Sequence, residues 1–526
     1  MDESPASPAD ARGTRLLGPF RYFAYYARVL PILNPDITPN QYYARSPLLF
    51  WTIVAIGSRR YQADPTLLTK LAEPLQNFAL CSFASRTEVV EVIQSLLLLS
   101  LWPLPFNSAH KSMSHIFSGA AVNLAMQNGL HVLGVGQDFA RVRLNNNEEE
   151  KISRARLWIY CIITAQSASY CDGLLPWMIS SSADFDKYQT AMAHVIPPVL
   201  QYRERIHHIA TDMISAVVRT GVTQRGSKND AALEMLIELY DKELSRVIVP
   251  TSDDFGNLYF SLAHLEIVSF YFFTQTISTK PMHLIKIYDD AVNAIEHATF
   301  IQDFALVCTF YFHRMLLLAA FCILKILRSD MNSAVDARAG ERAYFKFILL
   351  LKEASVQHDD ICSRGAGILT QLWASDNIFK RADGGRDSLS LRIQSRLTMS
   401  VVFDCHWWWR EEFGGQGSPY ELREESKTAK VSTSTEDADK MASEHFGPPM
   451  GLHDPTVPDN HSLENNAPKH QFPEFDDFLQ GFTFDLVSDL GDWTTETMAP
   501  VRYHDSTCST LIPDDFNQTI SAEMDP

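Results

Sequence analysis

The sequence predicts an all-α fold: a large multi-helix domain followed by a disordered acidic C-terminal tail. Of the 526 residues, 46% are hydrophobic, which is enough to bury a large core. Apolar residues recur at helical spacing from residue 46 to residue 413, and no alternating run typical of strands stands out. An α/β sheet is therefore the second choice. Residues 414–526 are rich in Ser, Thr, Pro, Asp, Glu and Asn and carry too little apolar surface to offset chain entropy.

Local signals mark where individual helices begin and end. Residues 1–45 look like a leader, and the helical domain is expected to start at Ser46, an N-cap residue followed by Pro47 at the first turn. Gly129 and Gly173 follow apolar periodic segments and are typical left-handed C-caps. The predicted domains are thus 1–45, 46–413 and 414–526.

The most hydrophobic window, Met315 to Leu327, predicts a buried helix rather than a membrane span. It has 13 residues and a lysine near its end, whereas a bilayer crossing requires about 20 apolar residues. No basic region leading into an apolar stretch opens the chain, so a secretory signal is not expected either. We expect no membrane partner.

The cysteines and the charge distribution argue against structural zinc and against unaided DNA binding. The eight cysteines are scattered, with none at the spacing of two to four residues that presents paired thiolates to one metal ion. The net charge is −18, and residues 414–526 alone contain 22 acidic and 6 basic residues. The remaining body is nearly neutral, so no basic patch for phosphate contacts is evident.

Enzyme signatures are absent from the sequence, so we assign no catalytic residue, cofactor or metal ligand. It has no HExxH, GxSxG, P-loop or complete GxGxxG motif. The histidines considered as ligands or bases lack a Cys or carboxylate at metal spacing and are interpreted as core or surface residues: His115, His207, His208 and His406. Adjacent Trp407, Trp408 and Trp409 could line an effector pocket, but packing at helix junctions is the preferred interpretation.

One segment of the tail, residues 472–493, has a composition that indicates partner binding. It combines six acidic residues with no basic residue and with a series of large apolar side chains. Its predicted partner-binding residues are Phe472, Phe475, Phe478, Leu479, Phe482, Phe484 and Trp493. Carboxylates keep such aromatic groups accessible until they enter a hydrophobic groove of a partner. The segment resembles a transcriptional activation domain; the alternatives are a segment that packs back on the core, or a solvated tail.

Four ordered stretches are similar to the regulatory, or middle homology, domain of fungal zinc-cluster transcription factors. They are RSPLLFWTIVAIGSRRY at 45–61, VIQSLLLLSLWPLP at 92–105, AAVNLAMQNGLHV at 120–132 and RARLWIYCIITAQSASYCDGLLP at 154–176. The residue patterns of the first two stretches are similar to those of the protease-activator-like subgroup of this family. The resemblance implies a helical regulatory domain in a nuclear protein that regulates transcription.

The resemblance also defines two functional hypotheses. The first is an activator of pathway genes, such as those of secondary metabolism, or of secreted-hydrolase genes; it contacts coactivators or the transcription machinery through its acidic tail. The second is an adaptor or repressor that pairs with a full-length regulator. The six-cysteine DNA-binding module of the family has no counterpart in this sequence, so promoter DNA is expected to be reached only through such a module or a partner. Target genes, effector and oligomeric state, whether homodimer or heterodimer, stay open.

Overall fold

The computed structural model describes most of the chain up to residue 414. The described residues are 21–61, 64–84, 88–106, 112–132, 136–139, 143–144, 147–176, 196–221, 223, 229–250, 253–380 and 387–414. The tail from residue 415 onward lies outside them, so the disorder of 414–526 stays a prediction.

Within these ranges the regular structure is helical and contains no strand, as the sequence predicts. The α-helices, numbered in chain order, are α1 Pro39–Arg45, α2 Pro47–Gly57, α3 Leu67–Cys81, α4 Val89–Leu101, α5 Ser114–Gln127, α6 Glu148–Asp172, α7 Pro198–Thr220, α8 Asp230–Leu244, α9 Gly256–Val268, α10 Pro281–Phe300, α11 Phe304–Val307, α12 Phe310–Leu327, α13 Ala337–Ala354, α14 Ile361–Ala374 and α15 Ser400–Phe413. Helices that follow each other in sequence pack together, as in α4 with α5, α5 with α6, α9 with α10 and α13 with α14.

The predicted capping residues lie at helix ends. The Ser46 hydroxyl accepts a hydrogen bond from the Leu49 amide and caps α2, with Pro47 in its first turn. Gly173 ends α6 in the left-handed conformation at φ 62°, and the next amide bonds back to the Ser169 carbonyl. A side chain at Gly173 would meet the Arg396 backbone, so both the turn and the close approach require glycine.

Helix α12 lies at the centre of the fold. Every residue from Phe310 to Ile326 is buried, and its neighbours are α6, α10, α13 and α15. By length and composition alone this helix could cross a membrane, but 94% of it is buried inside the protein. The buried helix predicted at Met315–Leu327 is therefore present, although it begins five residues earlier, at Phe310.

The start of the core differs from the predicted boundary at residue 46. Tyr22, Tyr26, Val29 and Leu30 are buried within the region assigned to a leader. The Tyr26 ring lies edge-on to that of Trp102, with centroids 5.2 Å apart, and the Tyr22 hydroxyl donates to the Leu30 carbonyl. These aromatic side chains bury a large apolar area against α4, which is why core packing extends into residues 21–45.

A partly buried charged network positions α8. The His264 imidazole on α9 contacts the Asp241 carboxylate on α8, and its Nδ1 lies 2.7 Å from Oδ2 of Asp290 on α10. The Lys286 ammonium on α10 lies 2.5 Å from the second oxygen of Asp241. Burial lowers the pKa of His264, but the hydrogen bonds to Asp241 and Asp290 outweigh it and raise that pKa to about 9. We call these four residues the His264 brace; it joins α8, α9 and α10.

A second buried ion pair joins α12 to α15. The Lys325 ammonium lies 2.7 Å from the Asp404 carboxylate, and both side chains are fully buried. The other carboxylate oxygen of Asp404 accepts from the Arg392 guanidinium at 3.2 Å, while Arg392 also contacts Glu411 at 2.8 Å. Paired in this way, the two charges avoid the large cost of separate burial.

We expect Asp404→Ala to destabilise the protein by about 3–5 kcal/mol, because it leaves the Lys325 ammonium buried without a counter-charge. Replacing both partners, Lys325→Met with Asp404→Leu, should cost much less. Urea unfolding of the full chain, followed by tryptophan fluorescence, measures both effects. The exposed Lys352→Met variant is the control and should stay within about 0.5 kcal/mol of the wild type. If Asp404→Ala unfolded at the same urea concentration as the wild type, Asp404 would not be the counter-charge that stabilises buried Lys325.

The His264 brace should make stability depend on pH in the alkaline range. Because the pKa rises from about 6.5 in the unfolded chain to about 9 in the fold, the contribution is fully present below pH 6.5 and is lost as the pH rises through 9. Its size is on the order of 3 kcal/mol. The unfolding midpoints of wild type and His264→Leu should therefore differ at pH 6 and converge near pH 10. Replacing the exposed His358 with Gln should leave the pH profile unchanged.

Candidate functional site

The activation segment predicted from the sequence lies outside the described residues. Its residues, Phe472, Phe475, Phe478, Leu479, Phe482, Phe484 and Trp493, are all beyond residue 414. Their role stays a prediction.

The histidines singled out in the sequence do not come together into one site. His207 is buried, with its ring stacked 5.7 Å from that of Tyr170, and neither ring nitrogen has a hydrogen-bond partner among the described residues. Burial, reinforced by the nearby Arg203, lowers the pKa of His207 to about 3, so the ring is neutral. His406 is buried against Phe321 and also has its pKa lowered by burial to about 3. His208 instead faces Asp212 on the exposed side of α7, at 3.3 Å.

Among the described residues, no group of three or more His, Cys, Asp or Glu side chains is arranged to hold a metal ion. Seven of the eight cysteines are described and all are free thiols. Burial raises the pKa of Cys362 to about 12, and that of its neighbour His313 is lowered by burial to about 4. Although Sγ of Cys362 lies 3.6 Å from Nδ1 of His313, the pair is neutral and offers no activated nucleophile.

Of the three adjacent tryptophans, Trp408 and Trp409 contact residues outside α15, in agreement with the preferred packing interpretation. Trp409 is buried and donates its indole N–H to the Gln371 side chain on α14 at 2.7 Å. The Arg392 guanidinium lies 4.0 Å from the centre of the Trp408 ring. Arg410 lies 4.7 Å from that of Trp407. Trp409 and Trp408 thus contact different parts of the fold outside α15, whereas the cation that faces Trp407 belongs to α15 itself.

A small cleft lies where α12 and α14 begin. Its volume is about 40 Å³, and it is lined by Arg59, Arg60, Thr309, His313 and Cys362 among others, with no acidic side chain among the described residues that form its wall. Two guanidinium groups line the cleft, while the N-terminus of α14 is capped by the Asp360 carboxylate. It has room for a water molecule or a small ion, not for a metabolite of ordinary size.

The larger open site is a groove between the start of α7 and the end of α8. We call it the α7–α8 groove; its volume is about 470 Å³, and its lining residues are Arg205, Leu239, Lys242, Glu243, Arg246 and Val247. Helix α8 buries Leu233, Ile237 and Leu244 against the fold. Its opposite side carries Met235 and Leu239, one turn apart, with 65% and 57% of their surface exposed. An exposed apolar pair of this kind is typical of a contact surface.

The rim of the groove is basic. Of its charged lining residues three are cationic and one, Glu243, is anionic, and Glu243 contacts Arg205 at 2.5 Å. Lys242 lies 3.9 Å from Glu238 with both side chains well exposed, a contact of little energetic weight. Arg246 has no ion pair with any described residue. The groove therefore presents an apolar floor and two available positive charges.

Sequence reasoning missed this groove. The segment AALEMLIELYDKEL lies within the stretch from residue 46 to residue 413 whose apolar spacing predicts helices and nothing more. A usable signal was present, because Met235 and Leu239 add a second apolar stripe opposite the buried one, which packing inside the fold does not require. The contribution of Arg205 on α7 could not be read locally, since it depends on how α7 and α8 pack.

Comparison with known proteins shows which proteins this chain is similar to. Residues 21–183 match the fungal specific transcription factor domain. The regulatory protein LEU3 of Saccharomyces cerevisiae is 23% identical over 75% of this chain and 51% of its own length. The transcriptional regulatory protein SEF1 of Candida albicans is 25% identical over 74% of this chain and 44% of its own length. The chain thus spans about half the length, or less, of these relatives, and no solved structure matches it.

All four sequence stretches that carry the resemblance, from residue 45 to residue 176, lie within the matched region and form α2, α4, α5 and α6 with their flanking turns. Residues 21–45 also fall within it, in agreement with their burial in the core. Residues 21–183 are therefore similar to the fungal specific transcription factor domain, and the described helices that follow residue 183 lie outside that match.

Proposed function

We propose that this protein is a nuclear transcription activator that contacts a coactivator or the transcription machinery through residues 472–493. The observation that carries the proposal is a combination: a fungal transcription factor domain and, in the same chain, a segment with six carboxylates, many aromatic groups and no basic residue. Similarity to proteins named as transcriptional regulators supports it.

Promoter DNA is reached in this proposal through a zinc-cluster module or a partner regulator. Residues 1–413 carry a net charge of only −2, and the basic rim of the α7–α8 groove offers two available cations. Specific DNA binding commonly involves many more phosphate contacts than two charges provide. Pathway genes or secreted-hydrolase genes are the proposed targets.

The activation role of the segment predicts the effect of removing its rings. In the full chain fused to a heterologous DNA-binding domain, Phe475→Ser, Phe478→Ser and Phe482→Ser together should reduce reporter activation nearly to that of the DNA-binding domain alone. One lost aromatic anchor of about 2 kcal/mol already weakens partner binding roughly 30-fold. The matched control replaces Phe446 and Phe516, two rings of the tail outside the segment. Equal activation by the triple variant and the control would rule out this role.

The direction of regulation is tested in the cell. Chromatin immunoprecipitation of the tagged chain should show focused promoter occupancy at genes whose transcripts fall when the protein is deleted. The adaptor alternative predicts the reverse pattern: no occupancy by this chain and transcripts that rise, because a sequestered regulator is released. Transcript profiling of the same deletion strain separates the two outcomes.

A further inference from the structure

We propose that the cleft where α12 and α14 begin is a binding site for a small tetrahedral oxyanion, sulfate or phosphate. This role is separate from the proposed function and does not depend on it. We call the site the α12–α14 cleft. Its described wall combines two cations and no acidic side chain with buried groups that have hydrogen-bond donors to spare, and its volume suits an ion of this size.

The α12–α14 cleft carries two positive charges that no carboxylate contacts. Arg59 and Arg60 line it, and neither forms an ion pair with any described residue. Arg59 donates to the Pro103 carbonyl at 2.9 Å, whereas the Arg60 side chain donates no hydrogen bond to the described part of the chain. Burial and then Asp360 raise the pKa of Cys362 to about 12, but Arg59 and Arg60 act in the opposite direction. Both cations are therefore felt at the Cys362 wall of the cleft.

Asp360 lies close to the cleft but does not occupy it. Its side chain is buried, and it is not part of the wall. The carboxylate is held by donors of its own turn and of α14, so its hydrogen-bonding capacity is used for capping. These donors are the Ser355 hydroxyl and the amides of Val356, Gln357, Cys362 and Ser363. One carboxylate bound in this way lowers the positive potential of the cleft without cancelling that of two arginines.

Two buried side chains that line the cleft add neutral donors. Thr309 is 2% exposed and His313 is 4% exposed. The Thr309 hydroxyl accepts from the Phe312 amide, and its own proton has no acceptor among the described residues. Nδ1 of His313 lies 3.6 Å from the Cys362 thiol, which is protonated and donates, so the proton of the neutral imidazole is on Nε2. This N–H has no described acceptor either. Buried donors normally have a partner, and an oxyanion would supply one to each.

The size of the cleft restricts the ligand to a compact ion. Its volume is about 40 Å³, whereas one water molecule requires roughly 10–15 Å³. The wall is built from residues 59–60, 103, 305–313 and 354–362. A bound ion would therefore hold segments of the matched region 21–183 against helices that follow it in the chain. Because it binds the folded state only, it should also stabilise that state as its concentration rises.

Isothermal titration calorimetry of the full chain with potassium sulfate and with potassium phosphate, at constant ionic strength and neutral pH, tests the site. We expect saturable binding of one ion per chain, with a dissociation constant on the order of 1 mM or lower. Hydrogen phosphate must place its own proton against an acceptor, whereas sulfate only accepts, so we expect sulfate to bind at least as tightly. Saturable binding of either ion supports the site, and the ratio of the two affinities identifies the ligand.

Matched variants locate the binding. Arg60→Gln removes one charge from a side chain without a described hydrogen bond, and should weaken binding at least about tenfold. Arg60→Lys keeps the charge and should weaken it less. The control is Arg338→Gln, an exposed position on α13 that lies about 25 Å along the helix from Ala354 in the cleft. It should bind like the wild type. Ala305→Leu fills the cleft, keeps both arginines and should abolish binding.

Urea unfolding without added anion shows which variants keep the fold. Sulfate should then raise the unfolding midpoint of the wild type and of Arg338→Gln more than that of Arg60→Gln, since the general stabilising effect of sulfate is common to all three. The proposal is overturned if neither ion binds saturably or if Arg60→Gln and Arg338→Gln bind alike. It is also overturned if a folded Ala305→Leu variant binds with the affinity of the wild type.

Discussion

Burial of α12 on all sides is the constraint on which the rest of the structure depends. A helix with apolar residues around its whole circumference must be enclosed by other helices, and α6, α10, α13 and α15 supply that enclosure. These neighbours come from residues 148–172 at one extreme and 400–413 at the other. The matched domain at 21–183 therefore completes its core only together with helices that follow it in the chain.

The polar residues of α12 determine how those neighbours are placed. The Arg314 guanidinium donates twice to the Cys171 carbonyl at the end of α6, at 3.0 and 3.1 Å. Lys325 pairs with Asp404 on α15. Packing of apolar side chains alone permits small slips between helices, whereas a buried charge without its partner costs several kcal/mol. The polar contacts of Arg314 and Lys325 thus make one arrangement of the helices far more favourable than arrangements in which a helix is slightly shifted.

Helix ends can be predicted from the sequence where the capping signal is local. Ser46 and Gly173 could be assigned because a cap depends on residues within one turn. The start of α12 was placed too late because His313 and Arg314 interrupt the apolar pattern, and only the structure shows that both are buried. Burial of Tyr22 and Tyr26 was missed for a related reason: Tyr26 packs against Trp102, 76 residues away, and such a contact leaves no periodic pattern.

The family match and the candidate site also differ in how far they can be recognised from the local sequence. The matched region ends at residue 183, whereas the α7–α8 groove is built from residues 205–247. Its geometry depends on the His264 brace, which holds α8 against α9 and α10 through partly buried charges. A surface side chain such as Leu239 or Arg246 can change without disturbing that brace, because it takes no part in it. The surface of the groove can therefore vary in sequence while the packing of α8 against α9 and α10 is kept.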